Sequence, residues 1–243
     1  IDTGFNNAYI NMAIDEVLLS SRVPVLRLYQ WKPCAVSIGR YQDLNDIDLE
    51  YCTENGIDVV RRLTGGKAVL HEKELTYSFI IDKDEMPRSI IESYKIISSA
   101  IIQGLKTLGL NPEMNSSKIE NRDNPVCFQE QSFNELTINR KKFVGSAQVR
   151  KKGKLLQHGS ILTGIDTEKH SSCFKEKPET HDLKKRITYI DIPEKNLKSA
   201  IKQGFSEYFN TNLNGRSICG KELSGAKELA RTKYRLEAIS VKA

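Results

Sequence analysis

The stretch over residues 58–79, Asp-Val-Val-Arg-Arg-Leu-Thr-Gly-Gly-Lys-Ala-Val-Leu-His-Glu-Lys-Glu-Leu-Thr-Tyr-Ser-Phe, constrains this chain most. Two β-rich runs, 59–63 and 68–71, flank Thr64, Gly65, Gly66 and Lys67. Gly-Gly between alternating runs signals a hairpin, because glycine reaches positive φ without a steric penalty. Two residues without side chains also let a ligand lie against the backbone. Arg61 and Arg62 precede the turn and His71 follows it. A positive, glycine-lined ledge beside a strand suits an anionic or carbonyl-bearing ligand. A surface hairpin with solvated arginines accounts for the same pattern equally well.

Apolar periodicity organises the rest. Ile10, Ile14, Val17 and Leu18 share one face of a helix expected over 6–21, with Asp15 and Glu16 on the other face. Strands are expected at 25–31 and 34–39, a short helix at 44–55 and a buried strand at 76–81. Ile90, Tyr94, Ile97, Ile101 and Leu105 keep helical spacing over 89–108, and Gly109 ends that helix. Residues 115–125 are polar and read as a mobile loop, and the segment 115–127 is expected to order on substrate binding. Strands at 133–138, 143–150 and 155–162 then form a meander. Pairing about the Lys152-Gly153 turn would bring Ala147 and Gln148 close to His158. Amphipathic helices are expected at 197–209 and 222–234. The pattern implies an α/β (α+β) fold, a mixed and largely antiparallel sheet flanked by helices. At 243 residues it reads as a single domain over 1–243 with a C-terminal helical extension from about 195.

Composition narrows the function classes. The longest apolar runs are too short to span a bilayer, so no membrane role is expected. No charged segment with an apolar core opens the chain, and its five cysteines are scattered without a Cys-x-x-Cys. Reduced thiols in a cytoplasmic protein are the expectation, with no metal, since His and Cys lack zinc spacing. Net charge is +6, and residues 140–154 hold seven Lys or Arg and no acid. Few aromatics and no recognition motif accompany that run, so an acidic protein partner fits better than nucleic acid.

Three further elements carry chemistry: Cys127 after the polar loop, Lys142 before Gly145-Ser146-Ala147, and His158-Gly159-Ser160. A thiolate is a strong nucleophile once cations lower its pKa. A strand lysine beside small residues can reach a ligand instead of water. Taken with the glycine stretch, they describe an acyl-handling pocket.

Here the residues carry a resemblance to the biotin–lipoate protein ligase superfamily, in its lipoate and octanoate branch. Arg61-Arg62-x-Thr64-Gly65-Gly66-x-Ala68-Val69-x-His71 resembles the acyl-binding segment of that family, and Lys142-x-x-Gly145-Ser146-Ala147 its lysine motif. His158-Gly159-Ser160 is similar to its His-Gly strand, and Asn11-Met12-Ala13-x-Asp15-Glu16 to its opening. Cys127-Phe128-x-x-x-Ser132-x-x-Glu135 resembles octanoyltransferases of the Gram-positive type, although Gln131 and Asn134 stand where those usually carry Pro and Tyr.

The resemblance implies a transferase in which Cys127 carries the acyl group and Lys142 activates it, with no cofactor. Arg61, Arg62, Thr64, Gly65, Gly66, His71, Gly145, Ser146, Ala147, His158 and Gly159 would then bind substrate. The implied donor is octanoyl-acyl carrier protein, and the implied acceptor is a lipoyl-domain protein such as the glycine cleavage H protein. An ATP- and Mg-dependent lipoate–protein ligase, or an amidotransferase between lipoyl domains, are the alternatives. On this reading Lys142→Ala slows acylation with little loss of fold stability.

Overall fold

The computed structural model describes residues 1–115 and 135–235. The polar loop expected at 115–125, the start of the strand expected from 133, and Cys127 all fall in or run into residues outside these. Chain order begins with β1 (Asp2–Asn6) and α1 (Ala8–Leu18), the helix capped by Asn7, whose side chain accepts from Ile10 N. There follow β2 (Val25–Trp31), β3 (Ala35–Ile38), α2 (Leu49–Glu54), β4 (Asp58–Arg61), β5 (Val69–His71) and β6 (Glu74–Asp82). The long amphipathic helix is α3 (Ile90–Lys106). After it come β7 (Glu113–Met114), β8 (Leu136–Ile138), β9 (Lys141–Lys151) and β10 (Lys154–Leu162). Four helices close the described chain: α4 (Thr167–Ser172), α5 (Thr180–Arg186), α6 (Glu194–Tyr208) and α7 (Gly220–Leu229). A π-helical turn, Ala230–Tyr234, continues α7.

Among the described residues the strands make a seven-stranded sheet, ordered β1-β2-β6-β10-β9-β8-β7, and a three-stranded sheet, ordered β4-β3-β5. The large sheet is antiparallel except for the β1–β2 pair. The expected meander is present. Its turns place Asn139 and Arg140 at φ 50 and 62, and Lys152 and Gly153 at φ 52 and 76. Paired positive φ values match the right-handed twist of the flanking strands. The register sets His158 opposite Ala147, as expected.

The glycine stretch is not a hairpin. β4 and β5 do not pair with each other; both pair with β3, which lies between them, parallel to β4 and antiparallel to β5. Residues 62–68 therefore cross over the end of β3. Gly39, just past β3, meets this crossover so closely that a Cβ there would lie 1.8 Å from Gly66 O. Gly66 itself sits at φ 89.

Each face of the large sheet has its own core. Tyr77, Phe79 and Ile81 of β6 and Leu155 and Ile161 of β10 pack against Ile97, Ile101 and Leu105 of α3 and Leu197, Ile201 and Phe205 of α6. Buried side chains of this kind contribute about 1.5–3 kcal/mol each. The two helices cross backbone to backbone. A Cβ on Gly104 would lie 2.2 Å from Ala200 O, and one on Gly204 would lie 2.3 Å from Ala100 O.

On the opposite face, Tyr29, Trp31, Ile80 and Leu156 meet Met12, Ile14 and Leu18 of α1, with Ala226 and Ala230 behind. α1 is thus covered on two sides, and the face expected to carry Asp15 and Glu16 is not left to solvent. Asp15 and Glu16 are both buried. Glu16 Oε2 accepts from Lys233 Nζ and Tyr234 Oη, each at 2.7 Å. A periodicity count cannot see that a helix from the far end of the chain covers the polar side. No helix among the described residues is long and apolar enough to cross a membrane.

Candidate active site

Alternation along β2, β6 and β10 sends a row of polar side chains into the space between the large sheet, α1 and the small sheet. Arg27 Nη1 lies 2.6 Å from Asp15 Oδ1, and Arg27 Nη2 donates to Asn11 Oδ1 at 2.7 Å. Tyr29 Oη and Ser78 Oγ also donate to the Asp15 carboxylate, at 3.2 and 2.9 Å. Burial opposes ionisation of Asp15, but Arg27 and His158 outweigh it and hold the carboxyl below its ordinary value. Burial, with the Asp15 charge adding to it, pushes the Tyr29 phenol well up, so it stays a donor.

His158 continues this chain of contacts. Its Nδ1 faces Asp15 Oδ2 at 3.5 Å and its Nε2 lies 2.7 Å from Thr64 Oγ1. Burial lowers the His158 pKa, with Arg62 and His71 adding to that and Asp15 only partly offsetting it. The ring is therefore neutral at neutral pH. A carboxylate can only accept, so the proton belongs on Nδ1 and Nε2 accepts from the Thr64 hydroxyl. Thr64 Oγ1 in turn accepts from Arg62 Nε at 3.1 Å.

A second set repeats the pattern. Glu74 Oε1 lies 2.8 Å from His71 Nδ1, and His71 Nε2 lies 2.7 Å from Ser37 Oγ. Arg62 Nη1 donates to Ser37 Oγ at 3.2 Å and to Ser37 O at 2.8 Å, so one guanidinium bridges both sets. Burial again opposes ionisation of Glu74, and His71, Thr76 and Ser160 outweigh it. The Trp31 indole stacks on His71 with ring centroids 4.0 Å apart and donates to Thr76 Oγ1 at 2.7 Å.

The arginines thus hold the glycine segment together. Arg62 Nη2 donates to Gly65 O and Lys67 O, both at 2.8 Å. Arg61 Nη1 donates to Gly39 O and Gln42 O, both at 2.8 Å, and to Arg40 O at 3.3 Å. Arg62 is buried, so the reading of both arginines as solvated surface charge does not hold. Thr64, Gly65, Gly66, His71, His158, Gly145 and Ala147 converge on this side of the sheet, the last two by their pairing with Ser160 and His158.

Ser146 and Gly159 go to the other face. Ser146 Oγ lies 2.7 Å from Tyr77 Oη, which also accepts from Gln157 Nε2 at 2.9 Å. Tyr94 of α3 donates to Ser146 O at 3.1 Å. Burial pushes the Tyr77 phenol up to about 12. Gly159 leaves room for this pair, since a Cβ there would lie 2.3 Å from Ser146 Oγ.

Lys142 is fully buried, with Nζ 2.5 Å from Glu135 Oε1. It is not one more member of the exposed basic run. Its neighbour Lys141 is the one that reaches outward, donating to Lys184 O at 2.9 Å. His170 of α4 feels the Lys142 charge; burial first, and that charge second, lower its pKa to about 4.

Asp15, Arg27, Ser37, Glu74 and Tyr77 were not among the expected site residues. Asn11 and Asp15, at i and i+4 on one helix side, carried a signal for part of this set.

The lipoyl protein ligase A/B catalytic domain model matches residues 7–207, and the chain belongs to that family. It is 38% identical to octanoyltransferase LipM of Staphylococcus epidermidis, over 98% of this chain and 96% of that protein. Among solved structures it resembles a lipoate-protein ligase A bound with ATP, with TM-score 0.82 and 28% identity over 97% of this chain and 94% of that one. It also resembles a bi-partite lipoate protein ligase of Thermoplasma acidophilum, studied with its E2 lipoyl domain, with TM-score 0.79 and 26% identity over 97% of this chain and 91% of that one.

Proposed function

We propose that this chain is a protein octanoyltransferase. It takes an octanoyl group from octanoyl-acyl carrier protein and delivers it to a lysine of a lipoyl-domain protein, such as the glycine cleavage H protein. The observation that carries this reading is the likeness to octanoyltransferase LipM along almost the whole of both chains. In this account the Cys127 thiolate attacks the thioester carbonyl, and the carrier thiol leaves. The acceptor amine then attacks the new thioester, an amide forms, and the Cys127 thiolate is released. A thioester is converted to an amide, so neither ATP nor metal is required.

Lys142 supplies positive charge near the developing oxyanion, as in other sites where fixed charge meets a charge that grows in the transition state. The neutral His158 and the donors of Arg62 keep the glycine crossover in one shape for the acyl chain. The likeness to an ATP-bound ligase favours a second reading, activation of a free acid by ATP.

The two readings part in one assay: octanoyl transfer to an apo lipoyl domain, from octanoyl-acyl carrier protein without ATP, or from octanoate with ATP and Mg. Transfer from the carrier without nucleotide is expected. Transfer from octanoate alone, dependent on ATP, would support the ligase.

A further inference from the structure

Lys142 presents a chemical problem that the proposed transfer does not solve. Its amine is fully buried, in a strand whose neighbour Phe143 is also buried. The backbone around it is tied to the segment after α5, through Thr188 N donating to Lys142 O at 2.9 Å and the Lys142–Ile187 bridge. Leu183 and Ile187 on that side are apolar and buried.

A lysine taken out of water tends to lose its proton, because burial penalises the charged form. A neutral amine is a nucleophile. Beside a thioester it would attack the acyl carbonyl; the C–S bond would break, the amine proton would pass to the departing sulfur, and a stable amide would form on Lys142. The site would then be blocked by its own product.

We propose that Glu135 is a positioning residue that keeps Lys142 an ammonium, and so a hydrogen-bond donor instead of a competing nucleophile. This rests on the acyl-transfer reading of the site. The geometry is a buried carboxylate 2.5 Å from Nζ, with both side chains at or below 2% exposure. An opposite charge at this distance favours the charged form of each partner. Among the described residues, His170 of α4 also feels the Lys142 charge, and burial keeps its imidazole neutral at neutral pH, so it adds no opposing charge there. Lys141, next in sequence, turns its amine to Lys184 O, and Lys184 is exposed.

The direct test is side-chain NMR of the wild-type chain with lysine labelled at Nζ, the Lys142 signal assigned by its loss in Lys142→Met. Lys142 is expected to remain an ammonium through about pH 9, in the range of an ordinary lysine. Titration near neutrality would overturn the proposal. This readout does not depend on transfer, so it separates the fate of Glu135 from the fate of the transferase reading.

The second test treats wild type and Glu135→Gln with octanoyl-N-acetylcysteamine, a small thioester, and maps hydroxylamine-resistant adducts. The variant is expected to carry at least about tenfold more amide on Lys142, since each unit of lowered pKa raises the neutral fraction about tenfold. Equal amide on Lys142 in the two proteins would overturn the proposal. If Glu135→Gln does not fold, the wild-type titration decides alone.

Discussion

His158 Nε2 and Thr64 Oγ1 lie 2.7 Å apart, although 94 residues of chain separate them. This one bond ties the large sheet to the glycine crossover of the small one. Removing the Thr64 hydroxyl while keeping its shape, as in Thr64→Val, leaves His158 Nε2 and Arg62 Nε without this contact. A loss of about 1–3 kcal/mol is expected, since the cost of an unsatisfied buried group exceeds the worth of the bond. Thr64→Ser should recover most of it. Urea unfolding of the three proteins checks this, and equal midpoints would show that the bond carries nothing.

The buried histidines set a pH dependence. His158 and His170 both have folded pKa values below the ordinary one, His170 falling from 6.5 to about 4. The unfolded chain therefore takes up these protons first as pH falls. Both contributions are fully present above about pH 6.5 and decline as pH falls, that of His170 through about pH 4. For His170 alone the loss amounts to about 3 kcal/mol at the lower end. Asp15 and Glu74, both held below their ordinary values, extend the decline further into acid. Unfolding free energies at about pH 7.5 and about pH 4.5 measure it, and a flat profile between them would contradict the assignment of neutral buried imidazoles.

Lys142→Ala should cost stability as well as activity. The sequence implied an exposed or ligand-facing lysine whose loss leaves the fold intact, but the structure buries Lys142 against Glu135. Removing one partner of a buried ion pair costs about 3–5 kcal/mol. Lys142→Arg, which keeps the charge with a different shape, should recover part of both losses. A melting temperature for Lys142→Ala equal to that of wild type would argue that the pair opens to solvent.

Gly159→Ala probes the other face. Its Cβ would lie 2.3 Å from Ser146 Oγ and 2.8 Å from both Gly145 O and the Tyr77 ring. Two of these neighbours sit in a strand or a buried phenol and cannot give way freely. A loss of about 1–3 kcal/mol is expected, typical of overpacking. Differential scanning calorimetry of the variant measures it, and an unchanged melting temperature would mean that β9 and β10 separate at little cost.

Much of this was legible from local pattern. The meander, its two turns and the His158–Ala147 register follow from period-two alternation and turn residues between the runs. α1, α3 and α6 follow from helical spacing of apolar residues. What the pattern missed was non-local. The segment around Gly65 and Gly66 reads as a hairpin because nothing within it reveals that β3, from earlier in the chain, inserts between its flanks. The burial of Asp15 is not legible locally, because the Arg27 that neutralises it lies on another element and the cover over α1 comes from α7 and the turn after it. Arg61 and Arg62, expected to bind substrate, also brace the glycine segment through donors to carbonyls of the same and neighbouring loops, a role their local sequence does not reveal. Ser146 sits in a motif with Gly145 and Ala147, yet alternation sends it to the face of Tyr77.

The central claim is acyl transfer through a covalent intermediate on Cys127, a residue outside those described. It is tested most directly by intact mass spectrometry of the chain after brief mixing with octanoyl-acyl carrier protein, without nucleotide and without acceptor. The account predicts a single octanoyl adduct, released by hydroxylamine, mapped to Cys127 and absent from Cys127→Ala. It also predicts loss of that adduct when an apo lipoyl domain is added. No adduct on wild type, together with near-normal transfer by Cys127→Ala, would contradict it.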